Sequence, residues 1–268
     1  MELQGRLESL TRQGIAVAAV SYDPVSVLAD FAARRGITFP LLSDPGSHTI
    51  RRYGIFNTTI PETNQQTYGV PFPGTFMLDA KGVVTSRFFE PAYQERNTVA
   101  SILARLGNQV DVPASRLSSP QLEITSFATD ATVAPGSHFS VVLDVRPRRG
   151  VHLYAPAVHT GYKPIALTLE PQRWVILRSA IYPAAEDYHF KPLDEWVKVF
   201  QRPFRIVQDV ALDASPEAQS ALKDVTSLTH RGTLNYQACD DTICFSPQSV
   251  PLTWTLAVRQ LDRERVKR

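Results

Sequence analysis

The sequence predicts two domains of different class, an α/β domain followed by an all-β domain that we expect to be an antiparallel sandwich. The chain has 268 residues, which is more than most single hydrophobic cores use. About the first hundred residues alternate helical and strand patterns, whereas beyond residue 121 apolar residues recur at every second position. Between them, residues 108–121 lose this periodicity and contain two prolines, which is typical of a linker.

The α/β domain begins with a predicted amphipathic helix and a buried strand. Leu3, Leu7 and Leu10 share one helical face, and Gly14 is placed to end that helix. Residues 15–23 are a continuous apolar run of strand length. Such a run is expected of a strand that is buried on both faces of a parallel sheet.

Residues 23–36 predict the next helix of this domain. We expect Val27, Leu28 and Phe31 to face the core and Gly36 to end the helix. The remaining predicted elements, in chain order, are a strand at 38–44, a helix at 48–55, a hairpin at 74–90 that turns at 80–82, and a helix at 94–107.

The second half contains strand patterns without helical ones. Residues 122–147 alternate apolar and polar side chains and turn at Pro135-Gly136. Four further strand candidates follow at a spacing typical of a β-sandwich: 165–171, 204–212, 232–239 and 250–258. The last residues, 261–268, are short, basic and mixed in sign, and we interpret them as a solvated tail.

Composition excludes several classes of function. Hydrophobic residues make up 43% and charged residues 20% of the chain, which is typical of a folded globular protein. The formal net charge of +2 gives no indication of nucleic-acid binding, and no apolar run approaches the roughly 18–20 residues of a membrane-spanning helix. Charged residues directly follow Met1, so we expect no signal peptide in this sequence and no insertion into the membrane.

Cys239 and Cys244 are the two cysteines of the sequence, and four residues separate them. Two cysteines are too few for a disulfide framework, and a zinc site would need a residue such as His230 as a further ligand. Asp240 and Asp241 between them are typical turn residues, and their charge should raise the pKa of a nearby thiol. From the residues alone a structural disulfide, a metal site and a redox pair all stay open.

The other residue types add little to these alternatives. The six histidines, at positions 48, 138, 152, 159, 189 and 230, have no shared spacing, and we expect them to be surface or packing residues. We predict no metal and no cofactor.

The first half resembles the redoxin family, the peroxiredoxin and thiol-reductase branch of the thioredoxin fold. The resemblance covers about residues 1–106 and lies in the strand ending in VSYD, the segment FPLLSD, the segment PGTF and the turn LDAKG, in family order. It implies a thioredoxin-like α/β fold and makes Pro73 the candidate for the family's cis-proline, which faces the active-site cysteines. A cis peptide bond there would expose a backbone edge that can pair with an extended substrate.

One departure from the redoxin pattern concerns the mechanism. The family's reactive cysteine precedes the first long helix, where the helix N-terminus stabilises a thiolate. Here the chain begins inside the matching helix, and residues 1–238 contain no cysteine. We therefore expect an incomplete redoxin domain, either because the natural start lies upstream or because the domain is a scaffold without redox activity. An upstream segment could also carry a signal peptide.

The second half resembles the N-terminal periplasmic domain of DsbD, a membrane protein that conducts reducing equivalents. The resemblance spans roughly residues 120–258 and is strongest in the segment LNYQACDDTICFSPQSVPLTW, residues 234–254. It implies an immunoglobulin-like fold and a Cys239–Cys244 pair that cycles between dithiol and disulfide. It also implies thioredoxin-like proteins as electron donor or acceptor, and a periplasmic or other extracytoplasmic location.

The same resemblance implies which residues surround the cysteine pair. Asp194, Glu195 and Trp196 match the acidic and aromatic loop that covers the cysteines in the family, with tryptophan where phenylalanine is usual. Tyr154 and Tyr236 are further candidates near the pair. An aromatic cover would exclude stray thiols, and an acidic neighbour would hold a proton for the leaving thiolate.

The sequence thus predicts residues 1–107 as a redoxin domain, 108–120 as a linker, 121–260 as a DsbD-like domain and 261–268 as a tail. The predicted function is thiol–disulfide exchange through Cys239 and Cys244. Two alternatives stay open: a thiol peroxidase whose catalytic cysteine lies upstream of Met1, and a non-catalytic interaction module with a structural disulfide. If active, the protein is an oxidoreductase.

Overall fold

The computed structural model of the protein describes residues 2–65, 67–89, 96–156, 161–190 and 194–260. Its contacts divide the chain into two compact units, Met1–Val99 and Ala100–Arg268. No helix within the described ranges is long and apolar enough to cross a membrane. The predicted tail at 261–268 lies outside the described residues, as do the first two residues of the helix predicted at 94–107.

The first unit is an α/β structure with short elements. Its helices are α1 (Glu2–Gly5), α2 (Leu7–Arg12), α3 (Val25–Arg35) and α4 (His48–Arg52). Its strands are β1 (Ala19–Ser21), β2 (Leu41–Ser43), β3 (Gly74–Leu78), β4 (Val84–Phe89) and β5 (Arg96–Asn97).

Four of these strands, β1 to β4, form two separate two-stranded sheets. β1 pairs with β2 in parallel, and β3 pairs with β4 in antiparallel orientation. The hairpin turn lies where the sequence predicted it, because the Asp79 carboxylate accepts the backbone N–H groups of Lys81 and Val83, and Gly82 adopts a positive φ of 79°. The predicted hairpin is confirmed.

The helices of the first unit are less buried than predicted. The first predicted helix is two short ones, α1 and α2, divided next to Gly5, a residue that costs helix stability. α3 ends at Gly36 in the left-handed conformation as predicted, but it buries only Leu28. Val27 is 48% and Phe31 39% exposed, so their predicted burial is wrong. A sheet of two strands is too narrow to cover the whole apolar face of a helix.

Pro73 departs from the expectation of a cis-proline. The structure contains no cis peptide bond among the described residues, so the bond that precedes Pro73 is trans. A trans X–Pro bond is the more stable form by about 0.5–1 kcal/mol unless packing selects the cis form. The neighbouring Phe72 N–H already donates to the Ile55 carbonyl, and β3 begins at Gly74.

The second unit is built of strands with two short helices, α5 (Val99–Arg105), which begins at the last residue of the first unit, and α6 (Pro216–Ala221). The strands are β6 (Ser115–Ser118), β7 (Leu122–Ala128), β8 (Thr132–Val133), β9 (Ser137–Pro147), β10 (His152–Tyr154), β11 (Ala166–Leu169), β12 (Val175–Ile181), β13 (Glu186–Phe190), β14 (Glu195–Phe200), β15 (Phe204–Leu212), β16 (Ser227–Tyr236), β17 (Ala238–Cys239) and β18 (Gln248–Val258).

Three sheets organise these strands. The first has the order β12-β15-β9-β7-β6, the second β11-β16-β18-β8, and the third β13-β14-β10-β17. The first two contribute to one hydrophobic core that includes Phe139 and Ile206 from one sheet and Leu234 and Trp254 from the other. The long strands β9 and β18 supply every second side chain to this core, which is the alternation seen in the sequence. The prediction of a second, all-β region is confirmed in this coarser form.

α5 packs on the opposite side of the first sheet. Ala104 forms a small buried cluster with Phe127, Val142 and Val207. The helix is also held by Arg205, whose guanidinium donates to the backbone carbonyl of Asn108 at 2.8 Å. The boundary between the two units therefore lies at the first residue of α5, whereas the change in sequence pattern lies after this helix.

The stretch predicted as a linker contains regular structure. Ser115–Ser118, which is β6, pairs with β7 in antiparallel register from Ser115 opposite Ser126 to Ser118 opposite Glu123. This strand was not predictable from the sequence. All four of its residues are exposed, so it lacks the apolar alternation that marks a half-buried strand.

Candidate functional site

Cys239 and Cys244 form a disulfide at the edge of the third sheet. Cys239 ends β17, and the two cysteines lie directly opposite each other in an isolated antiparallel bridge. The four-residue loop brings them together as predicted. Their Cα atoms are 4.0 Å apart, slightly less than the expected minimum of about 4.4 Å. Opposed residues between two ladder hydrogen bonds approach closely in this way, at about 4.5 Å.

Asp240 holds the loop between the cysteines. Its Oδ1 accepts the backbone N–H of Ile243 at 2.8 Å and both the backbone N–H and the hydroxyl of Thr242, each at 2.7 Å. The bond from Ile243, followed by those from Thr242, lowers the pKa of Asp240. Asp240 is therefore the turn residue that the sequence predicted, and it stays ionised beside the disulfide.

The two cysteines differ in exposure. Cys239 is fully buried at 0% exposure, in a cluster with Tyr154, Val197 and Val199. Cys244 is exposed, and so is its neighbour Ile243. A partner that approaches from solvent therefore meets Cys244 before Cys239.

Tyr154 is the predicted residue that lies closest to the disulfide. Its hydroxyl is 3.6 Å from Cys244 Sγ. Its ring stacks on the ring of Tyr162 at 4.2 Å, and the Tyr162 hydroxyl donates to Glu195 Oε2 at 2.9 Å. Burial raises the pKa of Tyr154 well above its ordinary value, so its hydroxyl stays protonated next to the sulfur.

The predicted capping residues divide between the two faces of β14. Val197 and Val199 pack in the cluster around Cys239, and Glu195 shares their face because side chains alternate along a strand. Trp196 points to the other face, where its ring stacks on His189 and is 70% exposed. The prediction that Trp196 covers the cysteines is therefore wrong.

Asp194 also lies on the far side. Its carboxylate contacts His189 Nε2 at 2.7 Å, and its φ of 52° places it in the left-handed region that aspartate tolerates in turns. Of the three predicted capping residues, only Glu195 lies on the disulfide face. It is connected to Tyr154 through Tyr162, which donates a hydrogen bond to Glu195 and stacks on the ring of Tyr154.

Tyr188, rather than Trp196, is the aromatic side chain that the pair of strands β13 and β14 presents to the disulfide face. It lies opposite Val197 in the register between β13 and β14 and so belongs to the disulfide face. Its ring is 4.4 Å from the ring of His152, and its hydroxyl donates to Asp241 Oδ1 at 2.7 Å. This hydrogen bond raises the pKa of Tyr188 to about 12. Tyr188 therefore ties β13 to the loop between the cysteines.

Sequence reasoning missed Tyr188, although a signal was present. Glu186, Asp187 and Tyr188 form an acidic and aromatic run of the same kind as Asp194–Trp196, earlier in the same stretch. Only the pairing of the two strands decides which of these aromatic side chains faces the cysteines.

Tyr236 lies in the main core rather than at the disulfide, so this prediction is also wrong. It is nearly fully buried among the core residues, with its hydroxyl 3.4 Å from the hydroxyl of Ser119. Three positions along the chain separate it from Cys239, but it belongs to β16 and the second sheet, whereas Cys239 belongs to β17 and the third sheet.

Three histidines in the described part of this unit are buried: His138, His152 and His230. His152 lies directly opposite Cys239 in the pairing of β10 with β17, and His230 lies in β16, where its Nδ1 is 3.1 Å from Gln172 Oε1. Burial lowers the pKa of both. The residues that the structure describes contain no group of three or more His, Cys, Asp or Glu side chains placed to hold a metal ion, and His159 lies outside them.

Comparison with known protein families agrees with the division of the chain. Residues 1–87 match the model of the AhpC/TSA family. Residues 121–253 match the model of the N-terminal domain of the thiol:disulfide interchange protein DsbD. The chain joins an AhpC/TSA redoxin domain to a DsbD N-terminal domain. Both matches support a thiol–disulfide redox function.

The relatives of the redoxin domain are two Mycobacterium tuberculosis proteins named as peroxiredoxins, one from strain H37Rv and one from strain CDC 1551. Each is 31% identical over 87 residues, which is 31% of this chain and 52% of the relative. The chain thus spans about half the length of the curated relatives that it matches.

Two solved structures show weak likeness. The N-terminal periplasmic domain of ScsB from Proteus mirabilis is 13% identical, with 52% of this chain and 49% of that chain covered and a TM-score of 0.34. The GAE domain of yeast GGA1 is 10% identical, with 51% and 94% covered and a TM-score of 0.29. Both scores are low, so neither likeness assigns a fold or a function to this chain.

Proposed function

We propose that this protein is an extracytoplasmic thiol–disulfide exchange protein that passes electrons through Cys239 and Cys244. The observation that carries the proposal is the difference in exposure between the two cysteine residues of one disulfide. Cys244 is open to solvent at the sheet edge, whereas Cys239 is buried behind it. A disulfide with one reachable sulfur suits directed exchange with a protein partner.

The exchange begins when a partner thiolate attacks Cys244 Sγ. A new S–S bond forms between the partner and Cys244, the Cys239–Cys244 bond breaks, and its electron pair stays on Cys239. A second thiol of the partner then attacks the partner's own sulfur in this mixed disulfide and releases Cys244. The partner dithiol is oxidised to a disulfide and the Cys239–Cys244 pair is reduced.

The partners that suit this chemistry are thioredoxin-like proteins with a reactive dithiol, acting as electron donor or acceptor. The match of residues 121–253 to the DsbD N-terminal domain supports this choice, and with it an immunoglobulin-like fold for the second domain. The disulfide supports an oxidising compartment outside the cytosol, because cytosolic disulfides are rare.

The reduction potential of the pair tests the proposal, measured by equilibration in graded glutathione buffers. We expect a value between roughly −270 and −120 mV, the range of known exchange proteins. A value below roughly −300 mV would identify a structural disulfide and favour the non-catalytic interaction module instead.

The roles of the two cysteines are tested by serine variants. Cys239→Ser keeps the exposed Cys244. It is expected to form a stable mixed disulfide with a thioredoxin-like partner that lacks its second cysteine and carries thionitrobenzoate on the first. The Cys244 thiolate displaces thionitrobenzoate, and no further thiol is present to resolve the product. Cys244→Ser keeps only the buried Cys239 and is expected to trap the partner far more slowly. Equal trapping by both variants would contradict the assignment of Cys244 as the attacked sulfur.

The redoxin match favours a second candidate, a thiol peroxidase. The relatives named as peroxiredoxins match residues of the first domain, while residues 1–238 of this sequence contain no cysteine. The genomic DNA upstream of Met1 tests this candidate. An in-frame extension with a cysteine motif, and peroxide turnover by the extended protein but not by the present chain, would support it.

A further inference from the structure

His152 is a buried side chain that lies opposite Cys239. In the disulfide form, its Nε2 has no hydrogen-bond partner. His152 is 2% exposed. A buried nitrogen without a hydrogen-bond partner destabilises the folded protein, so such an atom calls for an explanation. The thiol–disulfide exchange proposed above explains the unpartnered nitrogen if the hydrogen-bond partner of Nε2 forms only when the disulfide is reduced.

The position of His152 points to the sulfur of Cys239. The two residues are directly opposed between β10 and β17, where opposed side chains share a face and their Cβ atoms lie about 4.5–5.5 Å apart. The histidine ring lies against Tyr188 at 4.4 Å and against the edge of Tyr154 at 5.5 Å. These contacts hold the imidazole beside the buried cysteine.

Opening of the disulfide places a negative charge on the buried sulfur of Cys239. When a partner attacks Cys244, the electron pair of the broken bond stays on Cys239, which is 0% exposed. A thiolate formed there is out of reach of solvent, and a buried charge is costly unless a donor or an opposite charge compensates it.

We infer that His152 Nε2 donates the hydrogen bond, and with it the proton, that the Cys239 sulfur takes up when the disulfide opens. This inference rests on the proposed function of the pair. The partner sulfur is oxidised, Cys239 receives the electron pair, and the imidazole takes one proton from solvent, which it shares with or transfers to the new thiolate. On reoxidation the neutral imidazole takes this proton back from the Cys239 thiol.

The groups that face His152 set its protonation. Tyr154 lies on its own strand and Tyr188 on β13, while Asp240 and Asp241 follow β17. Burial lowers the pKa of His152, and the charges of Asp241 and Asp240 oppose this change. The imidazole is therefore mostly neutral while the disulfide is intact. The negative charge of a Cys239 thiolate would favour the protonated imidazole, so it would raise the pKa of His152 as the two aspartates do.

The first experiment titrates Cys239 by itself. In the Cys244→Ser protein labelled with [13Cβ]cysteine, one resonance reports the ionisation of the Cys239 thiol against pH. We expect His152→Phe in this background to raise the pKa of Cys239 by about one unit, a tenfold loss of thiolate at neutral pH. His152→Gln retains an N–H donor and is expected to lie between the two.

A matched control separates this effect from loss of packing. His230 is equally buried at 1% exposure, also has an Nε2 without a partner, and lies in a different sheet. His230→Phe is expected to leave the pKa of Cys239 unchanged. An unchanged pKa in His152→Phe, or an equal change in His230→Phe, would overturn the inference.

The second experiment follows opening of the intact disulfide by excess reduced glutathione. We expect His152→Phe to slow it about tenfold or more, with a weaker pH dependence than the parent, because the leaving sulfur loses its proton donor. Equal rates and equal pH profiles in both proteins would count against the inference. A parent reduction potential in the range of structural disulfides would remove the exchange function, but the Cys239 titration would still decide the role of His152.

Discussion

The two units of this protein use their apolar residues differently. The redoxin unit divides its main strands between two sheets of two strands each and leaves many large apolar side chains exposed, among them Val20, Val25 and Leu42. The DsbD-like unit buries a continuous core between two sheets, with Phe139 and Leu143 fully covered. The disulfide therefore belongs to the unit whose described residues complete a core, and Cys239 is buried there.

The largest expected difference between the units lies in truncation of apolar side chains. Phe139→Ala removes a fully buried ring and should lower the free energy of unfolding of the second unit by about 3–5 kcal/mol. Val27→Ala in the first unit removes a half-exposed side chain and should change stability by less than about 0.5 kcal/mol. The three tryptophans, Trp174, Trp196 and Trp254, all belong to the second unit, so their fluorescence during urea unfolding reports that unit alone.

This comparison has its own control. Val27→Ala should leave the fluorescence transition where it is in the parent. A core variant and a Val27 variant with the same transition midpoint would show that the second unit is not the better packed one.

The next effect concerns ion pairs. Arg205 binds the Asp144 carboxylate through two nitrogens at 2.6 and 2.9 Å and also donates to the Asn108 carbonyl. Its replacement by Ala should cost about 1.5–3 kcal/mol, because hydrogen bonds to charged groups are strong when partly buried. Arg12 forms a single exposed pair with Glu8 in the first unit, and Arg12→Ala should cost less than about 0.5 kcal/mol. Denaturation of both variants in urea, followed by circular dichroism, checks the difference, and equal losses would contradict it.

Acid should weaken the second unit through its buried histidines. The pKa values of His152 and His230 are lowered by burial from 6.5, so below that pH the unfolded chain binds more protons than the folded one. Stability from this source is complete above about pH 6.5 and is lost as the pH falls toward the lowered values. Urea unfolding monitored by tryptophan fluorescence at a series of pH values measures the slope. His230→Phe should flatten it, and an unaltered slope would argue against a contribution from this residue.

The smallest effect compares two aromatic residues within the second unit. Tyr188→Ala removes the side chain tied to Asp241 on the disulfide face and should speed reduction of the disulfide by glutathione a few-fold, because access governs exchange. Trp196→Ala lies on the opposite face and should change the rate less than about twofold. Tyr188→Phe keeps the ring but loses the hydrogen bond to Asp241. It therefore separates the effect of the ring on access to the disulfide from the effect of the hydrogen bond on the loop. If Trp196→Ala changed the reduction rate more than Tyr188→Ala does, Trp196 rather than Tyr188 would be the side chain that restricts access to the disulfide.

Much of the second unit was predictable because period-two alternation marks strands that are buried on one face. The patterns at 122–147, 204–212 and 250–258 correspond to β7 to β9, β15 and β18. β6 escaped prediction because its residues are all exposed. In the first unit, the pattern of Val27, Leu28 and Phe31 correctly predicted a helix but not its burial, since burial depends on the width of the sheet beneath it.

The sequence by itself determined which residues form the disulfide loop, because a four-residue turn led by Asp240 is a local structure. It also determined the order of an α/β region and a β region. Only the tertiary structure decided which cysteine is exposed, and that Tyr188 and His152, rather than Trp196 and Tyr236, lie around the disulfide. The reason is that alternation fixes only which residues of one strand share a face. Which face meets the cysteines depends on pairing between strands that are distant in the chain.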